Sequence, residues 1–160
     1  MWTWPLPYVR PTMPPAHGQF GIRRKYDTHT GIDLYCDPGQ VVAAVEAGRI
    51  VAITPFTGVA AESPWWNETK SVMVEGGSGV VLYGEIAPFK HLMVGDYLFK
   101  GDYLGRVLTV LKEDKGLPQT MLHLELYKHG TKNPVWWREG PRPAELLDPT
   151  GFLFEGYHNG

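Results

Sequence analysis

Cysteine is nearly missing from this chain, and the single thiol, Cys36, excludes an intrachain disulfide. A fold built from disulfide-stapled loops is ruled out, although export to an oxidising compartment is not. No apolar run approaches the ~18 residues needed to cross a bilayer, so no membrane partner is expected. Charge of one sign is not in excess. Fifteen Lys and Arg against 17 Asp and Glu leave a formal net charge of −2, and nucleic acid, which calls for a basic patch, is not an expected partner. The opening Met1-Trp2-Thr3-Trp4-Pro5 lacks a basic n-region, a signal-length apolar core and a small-residue cleavage site. The expectation is a chain made in the cytoplasm without an export signal, which reaches any target outside by other means.

Glycine and proline are abundant, at 19 and 14 of 160 residues, and that much punctuation disfavours long helices and favours short strands joined by turns. Five prolines (Pro5, Pro7, Pro11, Pro14, Pro15) mark residues 1–19 as an extended N-terminal arm, with Trp2 and Trp4 as its anchors, ahead of one domain over 20–160. From Gln40 onward the pattern is β. Val41–Val45 and Arg49–Thr54 read as strands around a turn, with 55–70 as a long aromatic loop. Ser71–Glu75 and Val80–Glu85 form a hairpin about Gly76-Gly77-Ser78-Gly79. Gly95-Asp96 and Gly101-Asp102 predict paired turns, and 112–119 a polar loop. Met121–Tyr127 alternates, so Met121, His123 and Glu125 share one face and Leu122, Leu124 and Leu126 the other. A short helix is expected near Ala144–Leu147, closed by Asp148-Pro149-Thr150.

Candidate chemistry begins at His29-Thr30-Gly31-Ile32-Asp33. A His and an Asp four apart can converge on one metal if the segment bends; equally, the Asp can cap a turn. His123, on the polar face of its strand, offers a third donor, and three protein donors with one open position make the set used by catalytic zinc.

At this point the sequence resembles the lysostaphin/LytM-type zinc metallopeptidases of family M23, over about Phe20–Leu153. Phe20-Gly21-Ile22-Arg23 is similar to the family's FGxR, His29–Asp33 to its HxGxD, and Leu122–Leu126 to the end of its HLHFE. Pro38–Ala44 with Ala47–Val51 resembles its GxxVxAxxxGxV hairpin, Val94–Gly105 its doubled GD segment, and Asp148–Leu153 its closing DPxxYL. The resemblance implies an all-β fold, a compact antiparallel sheet with a groove and little helix, of the duplicated hybrid motif type. It implies one Zn²⁺ held by His29, Asp33 and His123, and bacterial peptidoglycan peptide as the substrate.

Two departures stand out. The family has HxH where this chain has Met121-Leu122-His123, and a further His where this chain has Glu85. Methionine neither donates a strong hydrogen bond nor takes a proton at neutral pH. Glutamate can act as the general base of a zinc peptidase, so Glu85 becomes the candidate catalytic residue, with Tyr83, His129 or backbone amides as candidate oxyanion donors. His91-Leu92 could also be aligned with that family histidine, but it lies too near Gly95 for the family's spacing and Glu85 is preferred, while His17 and His158 are expected to face solvent. Trp65-Trp66 and Trp136-Trp137 either line a ligand groove or serve packing and assembly, the latter being favoured. Cys36 is read as a small core residue, not a fourth ligand. Two functions remain open: a zinc peptidase of the cell wall, or a catalytically inactive zinc-stabilised module, for example a phage virion component contacting other virion proteins.

Overall fold

Leu122, Leu124 and Leu126, the apolar half of the cleanest alternation in the sequence, are fully buried and lie in one strand that is paired on both sides. Each such leucine stabilises the fold by about 1.5–3 kcal/mol through the surface it removes from water. The structure, a computed structural model, describes residues 1–113, 116 and 119–158. The loop expected at 112–119 falls partly outside these residues, at 114, 115, 117 and 118, and the side chain of His158 also lies outside the described part.

Among the described residues nine strands form one antiparallel sheet. They are β1 (Ile32–Tyr35), β2 (Val41–Ala43), β3 (Gly48–Thr57), β4 (Thr69–Gly76), β5 (Gly79–Pro88), β6 (Tyr97–Leu98), β7 (Tyr103–Val107), β8 (Met121–Tyr127) and β9 (Leu146–Leu147). The order across the sheet is β1-β8-β5-β4-β3-β6, with β7 linking β5 to β2 and β9 lying on β8. The fold is all-β with very little helix. One α-helix, α1 (Thr150–His158), follows β9.

Strand alternation sends Ile32, Leu34, Val81, Tyr83, Leu122 and Leu124 to one face, the main core. The opposite face carries a smaller cluster of Met73, Val80, Leu82, Tyr127 and Leu146, with Phe56 and Trp137 packed against it. The polar residues of β1 and β8 stand on this second face.

The N-terminal residues close the main core. Trp2 is only 3% exposed, stacks on Phe152 of α1 at 5.1 Å, and donates from Nε1 to Glu46 Oε1 and Ser78 Oγ, both at 3.0 Å. Backbone bonds from Thr3 N to Val45 O and from Ala43 N to Pro5 O tie the segment alongside β2. The two Gly-Asp turns are built alike. Asp96 accepts from Met93 N and Asp102 from Phe99 N, while Gly95 (φ 98°) and Gly101 (φ 88°) take the left-handed step.

Two expectations are corrected. The long loop is shorter than 55–70, because β3 continues to Thr57 and β4 begins at Thr69. No helix forms at Ala144–Leu147. Leu146 and Leu147 instead pair with Tyr127 and Leu126 as β9, since the end of β8 offers an open edge. Asp148-Pro149 then starts the helix and does not close one: Asp148 Oδ1 accepts from Thr150 N at 2.9 Å, and a proline suits the first helical turn.

Candidate metal centre

The register of β8 with its neighbours assembles the site. Asp33 pairs with His123 on one side, and Gly84 of β5 pairs with His123 on the other. His29 reaches the same point from the turn before β1. Gly31 permits that turn, because a Cβ there would lie 2.4 Å from Leu124 O and 3.0 Å from His123 Cε1. The glycine of HxGxD is thus required by close backbone approach.

His29 Nε2, Asp33 Oδ1 and His123 Nδ1 converge: His29 to Asp33 is 3.1 Å, His29 to His123 3.3 Å, and His123 to Asp33 2.9 Å. All three residues are buried, and their donor atoms lie within 4.8 Å of one another. The second nitrogen of each imidazole is also placed. His29 Nδ1 donates to Gln19 O at 2.9 Å, which leaves Nε2 free to bind a metal. His123 Nε2 donates to Glu125 Oε2 at 2.8 Å, and Glu125 in turn accepts from Tyr127 Oη at 2.6 Å and from Thr30 Oγ1. Such outer partners fix the tautomer and ring direction of metal-binding histidines. Two nitrogens and one carboxylate oxygen in a small buried cluster fit a zinc ion with an open fourth position.

Electrostatics follow from this packing. Burial alone would raise the Asp33 carboxyl, but hydrogen bonds from His123 and His29 outweigh it and hold the group well below the usual carboxylate range. Burial alone would lower His123, but its bonds to Asp33 and Glu125 hold it well above the usual imidazole range. Arg24 reaches the second oxygen of Asp33 at 3.3 Å while also donating to His17 O at 2.7 Å.

Glu85 lies where β5 breaks its alternation. Tyr83 pairs with Val72 and Ile86 with Lys70, so Gly84 and Glu85 together face Ser71. This is a β-bulge, a device found beside sites where a side chain must be re-aimed. Glu85 adopts φ 64°, a left-handed conformation unusual for a non-glycine, and its carbonyl is held by Leu108 N at 3.0 Å. Its Oε2 is buried with no hydrogen-bond partner among the described residues. Burial, then the charge of Asp33, pushes its carboxyl up to about 8, with His123 and Arg24 opposing. The bulge therefore brings Glu85 within electrostatic reach of the cluster. Phe56 completes this part of the face, its ring 5.5 Å from that of His123 and seated over Gly84.

The two side chains expected as oxyanion donors lie elsewhere. Tyr83 is buried on the core face and its hydroxyl accepts from Val45 N at 2.8 Å, so it cannot face the cluster. His129 lies in the turn after β8 and bonds Gly76 O at the β4–β5 hairpin, whereas His123 pairs with Gly84 farther along β5, away from that hairpin. Neither is an oxyanion donor. His91 is exposed and stacks on Phe89 at the rim of a separate cleft, with Asp96 and Tyr97. His17 is exposed with its ring edge-on to Tyr35 at 5.7 Å. Cys36 packs against the main core. Trp137 packs on Phe20 at 5.8 Å, whereas Trp65 and Trp136 are 63% and 70% exposed.

Sequence reasoning does not assign roles to Glu125, Arg24 or Tyr35. Glu125 is within its reach, since a carboxylate two residues from a histidine shares its strand face. Arg24 gives no pattern that could identify it.

A family model described as Peptidase family M23 matches residues 27–135. A search of curated proteins finds no match. Among solved structures, CbpA from L. salivarius REN is 20% identical with a TM-score of 0.68, covering 99% of this chain and 98% of that one. A mutant catalytic domain of the prophage-encoded M23 protein EnpA from Enterococcus faecalis is 20% identical with a TM-score of 0.57, covering 82% and 85%. The catalytic domain of the antimicrobial peptidase lysostaphin from Staphylococcus simulans is 18% identical with a TM-score of 0.53, covering 86% and 87%. These likenesses establish the fold.

Proposed function

The chain belongs to peptidase family M23, and from that membership we propose that it is a zinc endopeptidase acting on the peptides of bacterial peptidoglycan. The convergence of His29, Asp33 and His123 carries the reading. A bound zinc ion would supply Lewis acidity toward a peptide carbonyl and would acidify water.

The residues of this chain do the rest. His29 Nε2, Asp33 Oδ1 and His123 Nδ1 would hold the ion, with Gln19 O and Glu125 fixing the two rings. Glu85 Oε2, buried and without a partner among the described residues, accepts the proton that water gives up and passes it to the leaving amine. A nearby cation favours the ionised carboxylate, which offsets the burial that raises Glu85. Phe56 shields the site from bulk water and offers an apolar wall to the substrate chain.

Met121 favours a second reading, a metal-stabilised module without turnover, because that position offers no proton donor. One experiment separates the two. Purified protein is incubated with cell-wall sacculi, with and without chelator, and new amino groups are counted. The peptidase reading expects release that stops with chelator and with Glu85→Gln. Sacculi left intact by zinc-loaded wild type would overturn it and leave the module.

A further inference from the structure

We propose that Tyr35 is the hydrogen-bond donor that meets a substrate oxygen at the His29–Asp33–His123 cluster; this rests on the peptidase reading. Ile32 and Leu34 point into the main core, so Asp33 and Tyr35 share the opposite face of β1. Asp33 stands opposite His123, and the next pair on that face is Tyr35 opposite Met121. Side chains paired in this way lie about 4.5–5.5 Å apart at Cβ, so the phenol rises beside the thioether. Met121 brings no donor to its position, and Tyr35 brings one.

The hydroxyl is also uncommitted. Tyr83 accepts from Val45 N and Tyr127 donates to Glu125, whereas the Tyr35 hydroxyl has no hydrogen bond among the described residues. Its ring is held from the N-terminal side. Gly18 leaves it space, since a Cβ there would lie 3.1 Å from both Tyr35 Cε2 and Oη, and His17 closes on the ring edge at 5.7 Å. Asp33, Arg24 and Glu85 lie near enough for their charges to act on the phenol. A half-buried O–H, held in place, without a partner among the described residues and one cross-strand pair along the same face from Asp33 and His123, is what a developing negative oxygen requires.

Inorganic phosphate, a tetrahedral oxyanion, probes this donor without turnover. Zinc-loaded wild type and Tyr35→Phe are titrated with phosphate by calorimetry, and cleavage of sacculi is measured alongside. We expect Tyr35→Phe to bind zinc normally, to bind phosphate roughly 10- to 100-fold more weakly, and to lose kcat with little change in KM. Equal phosphate affinity in the two proteins overturns the inference whatever the activity. Weakened phosphate binding in a pair where even wild type fails to cleave supports the donor and overturns the peptidase reading instead. Met121→Leu removes the thioether but no donor; a loss of phosphate binding as large as that of Tyr35→Phe would assign the effect to packing and overturn the inference.

Discussion

Glu125 holds His123 from behind: one carboxylate oxygen accepts from the imidazole Nε2 at 2.8 Å, the other from the Tyr127 hydroxyl at 2.6 Å. The carboxylate is 2% exposed, and these bonds, with a third from Thr30 Oγ1, offset its burial. Glu125→Gln keeps the shape but can no longer accept on both sides, and the ring of His123 loses its fixed direction. Zinc affinity is expected to fall about 10- to 100-fold, measured by competition with a chromophoric chelator. Affinity equal to wild type would remove Glu125 from the site.

Proton release on metal binding is the second expectation. His123 faces Asp33 on Nδ1 and Glu125 on Nε2, and both carboxylates accept, so the metal-free ring carries a proton on each nitrogen. Zinc must displace the proton on Nδ1. Protons and zinc then compete, so affinity rises with pH, by about tenfold per unit for a single proton, until the raised imidazole deprotonates unaided. Calorimetry in buffers of different ionisation enthalpy should find about one proton released per zinc. Binding that shows no buffer dependence would contradict this arrangement.

Glu85 gives a pH dependence of opposite sense in the metal-free protein. Its carboxyl is raised from 4.5 to about 8, so between these values the folded chain holds a proton that the unfolded chain has released. Stability contributed by this group therefore falls as pH rises from 4.5 and levels off above about 8, by on the order of a few kcal/mol. Glu85→Gln removes that decline. Urea midpoints of the metal-free proteins across this window test it, and parallel curves for wild type and variant would be evidence against a buried Glu85.

Much of the site is legible in the sequence, for reasons that differ by residue. His29, Asp33 and His123 can be named because donor types are few and β8 alternates without interruption, so the face of His123 follows from its leucine neighbours. The same parity rule, carried across β5, places Tyr83 with Val81 in the core and not among the oxyanion donors. The aim of Glu85 is not legible at all. It depends on a bulge, and a one-residue slip in register leaves no mark in apolar periodicity beyond the small residue Gly84 beside it. Helix and strand exchange places around Asp148 because Leu146-Leu147 is too short for its period to decide, and pairing with β8 decides instead. Trp2 joins the core from a proline-rich segment because a large aromatic surface outweighs the lack of regular structure around it.

The tightest constraint on the site is steric, and it falls on Gly31. Its backbone crosses β8 so closely that an added methyl would sit 2.4 Å from Leu124 O, with Glu125 Cγ and His123 Cε1 both at 3.0 Å. Leu124 O belongs to β8, which is paired with β1 and β5 on its two sides, and cannot retreat as a flexible side chain would. The segment carrying His29 and Asp33 must therefore move outward in Gly31→Ala. Both consequences are measurable. Crowding of this kind costs about 1–3 kcal/mol or more of stability, read as a lowered urea midpoint with unchanged slope. Zinc affinity falls as well, because a shift of even ~1 Å separates His29 Nε2 from His123 Nδ1, which now lie 3.3 Å apart. A Gly31→Ala protein with wild-type stability and zinc affinity would show that the turn before β1 is looser than these contacts require.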